Sequence, residues 1–224
     1  MGQALGELLP LALGIAVSPL PIIAAVLLLI SPRASSSAVG FLIGWLGGII
    51  ISVTVFTLLS SILPEEDGAD QSQPIRGIIS IVLAGGLFLL AAKQWRSRNP
   101  EAGERKQPKW MQAIDSMQFG KALGLALLLA AVNPKNLIMG ASAGMILGDS
   151  DEGTASIILL IVVFTVLAGS TVMIPVVGYL VAKERLREPL QHLQVWLEKE
   201  TPTIMSVLLL VLAVSALGKG IGSF

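Results

Sequence analysis

Cysteine is absent from the 224 residues, and histidine occurs once, as His192 in a polar segment. The first absence excludes disulfides, thiol redox chemistry and thiolate metal sites, and leaves the compartment open. Charge is scarce as well. Only 13% of the residues are Asp, Glu, Lys or Arg, and 15 basic residues balance 15 acidic ones. Overall charge therefore points to no partner, nucleic acid included. The carboxylates fall in loops or near the ends of apolar runs, with Glu7 and Asp115 closest to a run. Divalent cations want oxygen or imidazole ligands, so no metal site is expected. Proton relays in membranes usually need a carboxylate or histidine at depth. None is placed for that role unless Lys135 titrates or Glu7 lies deep. No nucleophile–base pair, ATP-binding loop or cofactor motif is present. Neither enzyme activity nor a cofactor is expected.

What the chain does have is hydrophobic length. It is 54% apolar, with a mean hydropathy of +0.80, which is a membrane composition. Six runs, near 4–31, 37–62, 75–95, 119–147, 154–182 and 202–222, approach the roughly 20 residues that a bilayer-crossing helix needs. The expected fold class is an all-α membrane protein with six transmembrane helices. No basic region precedes the first run, so Gly6 to Ile30 reads as a retained span rather than a cleaved signal peptide.

Two runs are interrupted. Asn133-Pro134-Lys135-Asn136 divides the fourth, and Ser18-Pro19-Leu20-Pro21 divides the first. Proline lacks an N–H and clashes with the preceding turn, and it pushes the residue before it out of helical geometry. Asn or Ser at the N-cap with Pro next is a helix-start signature. Each run therefore reads as two half-helices, with Asn133 and Ser18 as caps and Pro19, Pro21 and Pro134 holding the breaks. A shift of 115 residues lays Val17-Ser18-Pro19 on Val132-Asn133-Pro134. Broken helices at matching positions of two halves point to a transporter site.

The loops set the orientation. Arg33, Lys93, Arg96, Arg98, Arg105, Lys106, Lys109, Lys121, Lys183, Arg185, Arg187 and Lys199 fall on one side. Arg76, Lys219, the Glu65-Glu66-Asp67 loop with Asp70, and Asp149 with Asp151-Glu152 fall on the other. The positive-inside rule then places both termini outside the plasma membrane. Three spans per half make the second half an inverted repeat. Residues 1–95 form the first repeat, 96–118 a basic cytoplasmic linker and 119–224 the second repeat. Two amphipathic segments, Lys109–Phe119 and Pro189–Glu200, are expected to rest on the headgroups. Asn99–Pro108 is the expected flexible loop.

Val132 lies roughly 18 Å from Lys121, where its span begins, at about 1.5 Å per helical residue, so the second break falls near mid-membrane. A half-helix N-terminus attracts anions. Two such ends with the Lys135 ammonium make an anion site, and Ser18, Asn133 and Asn136 are placed to add hydrogen bonds. A lysine at that depth costs roughly 2.5–3.5 kcal/mol on insertion scales, which marks it for function. The competing reading has Lys135 snorkel or bond backbone carbonyls. Gly40, Gly44 and Gly48, and again Gly140 and Gly144, recur at four-residue spacing, a pattern that lets helices pack closely. Packing within the subunit is the expectation; a homodimer interface is the alternative.

These breaks, in a three-plus-three arrangement, resemble the lysine-exporter superfamily. Leu29-Ile30-Ser31-Pro32-Arg33 and Gly40-Phe41-Leu42-Ile43-Gly44-Trp45 narrow the resemblance to its GAP branch, the glycopeptidolipid-addressing or Sap-type proteins, over essentially the whole chain. Amino-acid exporters of the superfamily tend to carry Pro-Gly-Pro and then an acidic residue at the first break, whereas Ile22-Ile23 follows Pro21 here. The resemblance implies outward movement of an anionic lipid or lipid-linked envelope metabolite, with Lys135 pairing the anion. Export of small soluble solutes and a non-transporting scaffold for envelope biosynthesis are the alternatives.

Overall fold

A computed structural model describes residues 1–60, 73–97, 114, 117–131 and 133–222. The Glu65-Glu66-Asp67 loop, Asn99–Pro108, most of Lys109–Phe119 and Val132 lie outside the described residues. The described residues form helices α1 (Gly2–Ala16), α2 (Pro19–Ile30), α3 (Ala34–Ser60), α4 (Gln73–Arg96), α5 (Phe119–Ala131), α6 (Pro134–Gly148) and α7 (Thr154–Ile221), with no strand among them.

Both proline breaks are real bends. α1 and α2 meet at 53°, and α5 and α6 at 67°. α3 and the stretch Thr154–Lys183 of α7 are each long and apolar enough to cross a membrane. Counting each bent pair as one span raises the number from 2 to 4 among the described residues. The third and sixth predicted spans fall on α4 and the C-terminal part of α7, which are helical but are not among those candidates. The fifth predicted span, 154–182, ends at a kink within α7. There Ala182 leaves helical geometry (φ −135°, ψ 49°) and two helices meet; Pro189–Glu200 is helical and falls within the second of them. The amphipathic pattern persists there, with Leu190 and Leu197 buried and Trp196 exposed.

Spatial contact groups the chain into two compact units, 1–63 with 107–195 and 64–106 with 196–224. In the first, α3 is the spine. It has 27 residues and lies against both halves of the second broken pair. Gly40, Gly44 and Gly48 of α3 meet Phe119, Leu123, Ala126 and Ala130 of α5. Further along α3, Ser52, Val53, Phe56, Thr57 and Ser60 meet Gly140, Gly144 and Gly148 of α6. Both glycine rows thus bring helix backbones together within one chain, where a side chain at Gly144 would strike the Val53 carbonyl. α1 packs on α6, with Gly14 against the Met139 side chain, and α2 packs on α3. Trp45, Phe41, Phe164, Leu28 and Leu29 fill the interior.

In the second unit, Ala84 and Ala91 of α4 and Ala213 of α7 are buried, while Leu89 of α4 is 74% exposed. Such apolar surface recurs on the other unit, at Ile138, Ile174 and Val181. Only 39% and 33% of the two single-helix span windows are buried within the chain. Helices that are apolar all round and half uncovered have lipid as their solvent. This is a helical membrane protein.

Candidate functional site

The two breaks come together. The site is built from Val17 and Ser18 of the first and Asn133 to Asn136 of the second, 118 positions apart in the case of Ser18 and Asn136. At the second break Asn133 is extended (φ −63°, ψ 117°), and Pro134 occupies the first turn of α6. The Asn133 side chain accepts from the Lys135 backbone N–H at 3.1 Å, the cap that the sequence suggests.

Ser18 behaves differently. It stands at the N-cap position of α2, extended (φ −98°, ψ 108°), but its side chain caps nothing. The reason lies in the helix start itself. Pro19 and Pro21 remove two of the first N–H groups, leaving little for a cap to accept from. The Ser18 hydroxyl turns to the other break instead, donating to Asn136 Oδ1 at 3.0 Å and accepting from Lys135 Nζ at 2.9 Å. The first break is also a poorer anion-binding helix end than a pair of equal N-termini would make it. Its carrying group is a hydroxyl rather than a row of amides.

Asn136 is 2% exposed. Its Nδ2 donates to the Leu129 carbonyl at 3.1 Å, one of the carbonyls that the end of α5 leaves without an intrahelical partner. Lys135 Nζ also reaches the Val17 carbonyl at 3.5 Å, beyond the C-terminal end of α1. Thr171 of α7 donates its hydroxyl to the Ala16 carbonyl at 2.7 Å. Side chains thus satisfy backbone groups freed by both breaks, as membrane interiors require. Thr171 was not singled out by sequence reading. Its only signal is the Ser170-Thr171 polar pair within an apolar span.

Two of the three Lys135 N–H bonds have protein acceptors, and both acceptors are uncharged. Among the described residues no carboxylate pairs with it; the one ion pair there joins the Met1 amino group to Glu152. Glu7 is exposed in α1 and accepts from Gln3 at 3.2 Å. The site therefore carries one uncompensated ammonium, braced by a hydroxyl and a carbonyl. Pro19, Pro21 and Asn136 are buried, Asn133 and Lys135 half-buried, and Pro134 exposed. Among the described residues no group of three or more His, Cys, Asp or Glu is placed to hold a metal.

Paired bent helices joined by a polar cluster within apolar surroundings define a helical membrane protein with a site at its helix breaks. The family described as Sap, sulfolipid-1-addressing protein, matches residues 8–222. The chain belongs to that family. No curated protein and no solved structure matches it.

Proposed function

We propose that the protein carries an anionic lipid, or a lipid-linked envelope metabolite, from the cytoplasmic to the outer side of the plasma membrane. The observation that carries this reading is the Lys135 ammonium at the joined breaks, charged without a carboxylate partner and held by Ser18 and Val17. A single cation suits a singly charged headgroup, and charge-assisted hydrogen bonds from it are roughly twice as strong as neutral ones. The family description names a sulfolipid, and a sulfate or sulfonate group is a fixed monoanion. The reading includes six spans in two inverted repeats, kinship with the lysine-exporter superfamily, both termini outside, and movement of one repeat against the other around the site. It assigns no enzymatic step, treats membrane lipids as partners, and leaves a homodimer as a possible assembly.

The test is a lipid profile of a deletion strain, split into inner and surface-exposed fractions. The strain is complemented with wild type or Lys135→Ala at equal protein level. One anionic lipid should build up inside, and only wild type should restore its export. Full restoration by Lys135→Ala would make the lysine structural. An unchanged lipid profile would redirect the search to soluble solutes or a scaffolding role.

A further inference from the structure

A second cationic cavity lies at the other end of α2. Ser18 precedes the first residue of α2 and Ser31 follows its last, a separation of roughly 20 Å at about 1.5 Å per residue. Pro32 ends the helix by disfavouring helical geometry at Ser31, whose ψ is 160°. The Ser31 hydroxyl donates to the Leu28 carbonyl at 2.7 Å. The three-residue turn then presents Arg33 before α3 begins at Ala34. A cavity of about 620 Å³ opens there, lined by Arg33, Ser35, Ser36, Tyr179 and Lys183 among others. That volume falls in the range of small-molecule sites, roughly 300–1,000 Å³.

Tyr179 is the informative member. Its side chain is only 5% exposed and lines the cavity, yet no hydrogen-bond partner for its hydroxyl is found among the described residues. The ring is what is buried; the hydroxyl opens on the cavity, where a ligand can reach it. Lys183 stands one turn further on, its Nζ 6.0 Å from the centre of the Tyr179 ring, within cation–π reach. Arg33 and Lys183 are exposed, and neither makes an ion pair among the described residues. Ser35 and Ser36 fall in the first turn of α3, where backbone N–H groups lack intrahelical acceptors. Two cations without an ion-pair partner among the described residues, a phenolic donor and the first turn of α3 line one space. Leu29 and Ile30 supply an apolar wall.

We propose that this cavity binds a tetrahedral oxyanion, phosphate or sulfate, at the membrane surface. Arg33 and Lys183 supply the charge and Tyr179 donates a hydrogen bond that orients the group. This goes beyond the site at the breaks and stands without it; in a lipid carrier it would be where the headgroup loads. The test uses full-length protein in a neutral detergent, titrated with short-chain phosphatidylglycerol and, separately, with inorganic phosphate or sulfate. Saturable binding is expected. Arg33→Gln and Lys183→Gln should each weaken it about tenfold, the order of one charge-assisted hydrogen bond. Tyr179→Phe should weaken it several-fold while leaving the fold intact, because it removes an oxygen without a protein partner. Lys121→Gln, at the start of α5, should change it less than about twofold. Loss of free-ion binding in the same three variants would identify the oxyanion alone as sufficient. Loss confined to the lipid titration would identify a lipid headgroup. No saturable binding, affinities unchanged in all three variants, or an equal loss from Lys121→Gln would overturn the proposal. Export assays on Lys135 variants read the breaks and fail or succeed separately.

Discussion

Ser18 and Asn136, 118 positions apart, share a buried hydrogen bond of 3.0 Å, and through it the first helix break is tied to the second. The serine also receives Lys135 Nζ, and the asparagine holds the Leu129 carbonyl. One hydroxyl thus links the ammonium to the amide.

Removing either partner leaves a buried polar group unmatched. Ser18→Ala and Asn136→Ala should each destabilise the protein by about 1–3 kcal/mol. The double variant should cost less than their sum, with a coupling of about 1 kcal/mol. Thermal unfolding in detergent, run as a double-mutant cycle, measures this. Strict additivity would mean that the bond contributes nothing between the two breaks.

The α3–α6 contact depends on the absence of a side chain at Gly144. A Cβ there would stand 2.6 Å from the Val53 carbonyl oxygen and 2.8 Å from the Thr57 nitrogen. Both are backbone atoms and cannot swing aside. Gly144→Val should destabilise by roughly 1–3 kcal/mol through overpacking. Gly47, also on α3, has nothing within 4 Å of a built Cβ. Gly47→Ala should therefore stabilise by roughly 0.5–1 kcal/mol, since alanine loses less freedom in a helix. Unfolding midpoints of the two variants should move in opposite directions.

The lack of native cysteine makes topology easy to read. Gly103→Cys and Asp151→Cys each introduce a single thiol. With a membrane-impermeant maleimide on intact cells, Asp151→Cys should label and Gly103→Cys should label only after permeabilisation. The reverse pattern would invert the proposed orientation, and labelling of both from outside would remove the cytoplasmic 96–118 linker.

Much of the local structure was legible in the sequence because its causes are local. Pro134 after Asn133 produces a cap, a helix start and a bend of 67°. Pro19 and Pro32 likewise mark the two ends of α2. Ser18 was read as a second cap by analogy with Asn133, and the helix start refused it, because alternate prolines leave few amides to accept from. Pro189 and Pro202 sit inside α7 without ending it. Neither proline leaves helical backbone geometry, so a proline in an apolar or amphipathic run does not by itself mark a break.

Apolar composition and proline placement determined, by themselves, that this chain is a helical membrane protein with two broken helices and a lysine at one break. Those properties follow from solvation and backbone sterics, which act on each segment independently. The tertiary structure decided which groups the lysine meets: Ser18 and the Val17 carbonyl rather than a carboxylate. It also decided that Thr171 bonds the Ala16 carbonyl at the first break and that Tyr179 lines a cavity beside Arg33. Hydrogen bonds reach only about 3 Å, so partners over a hundred residues apart are chosen by how the helices pack.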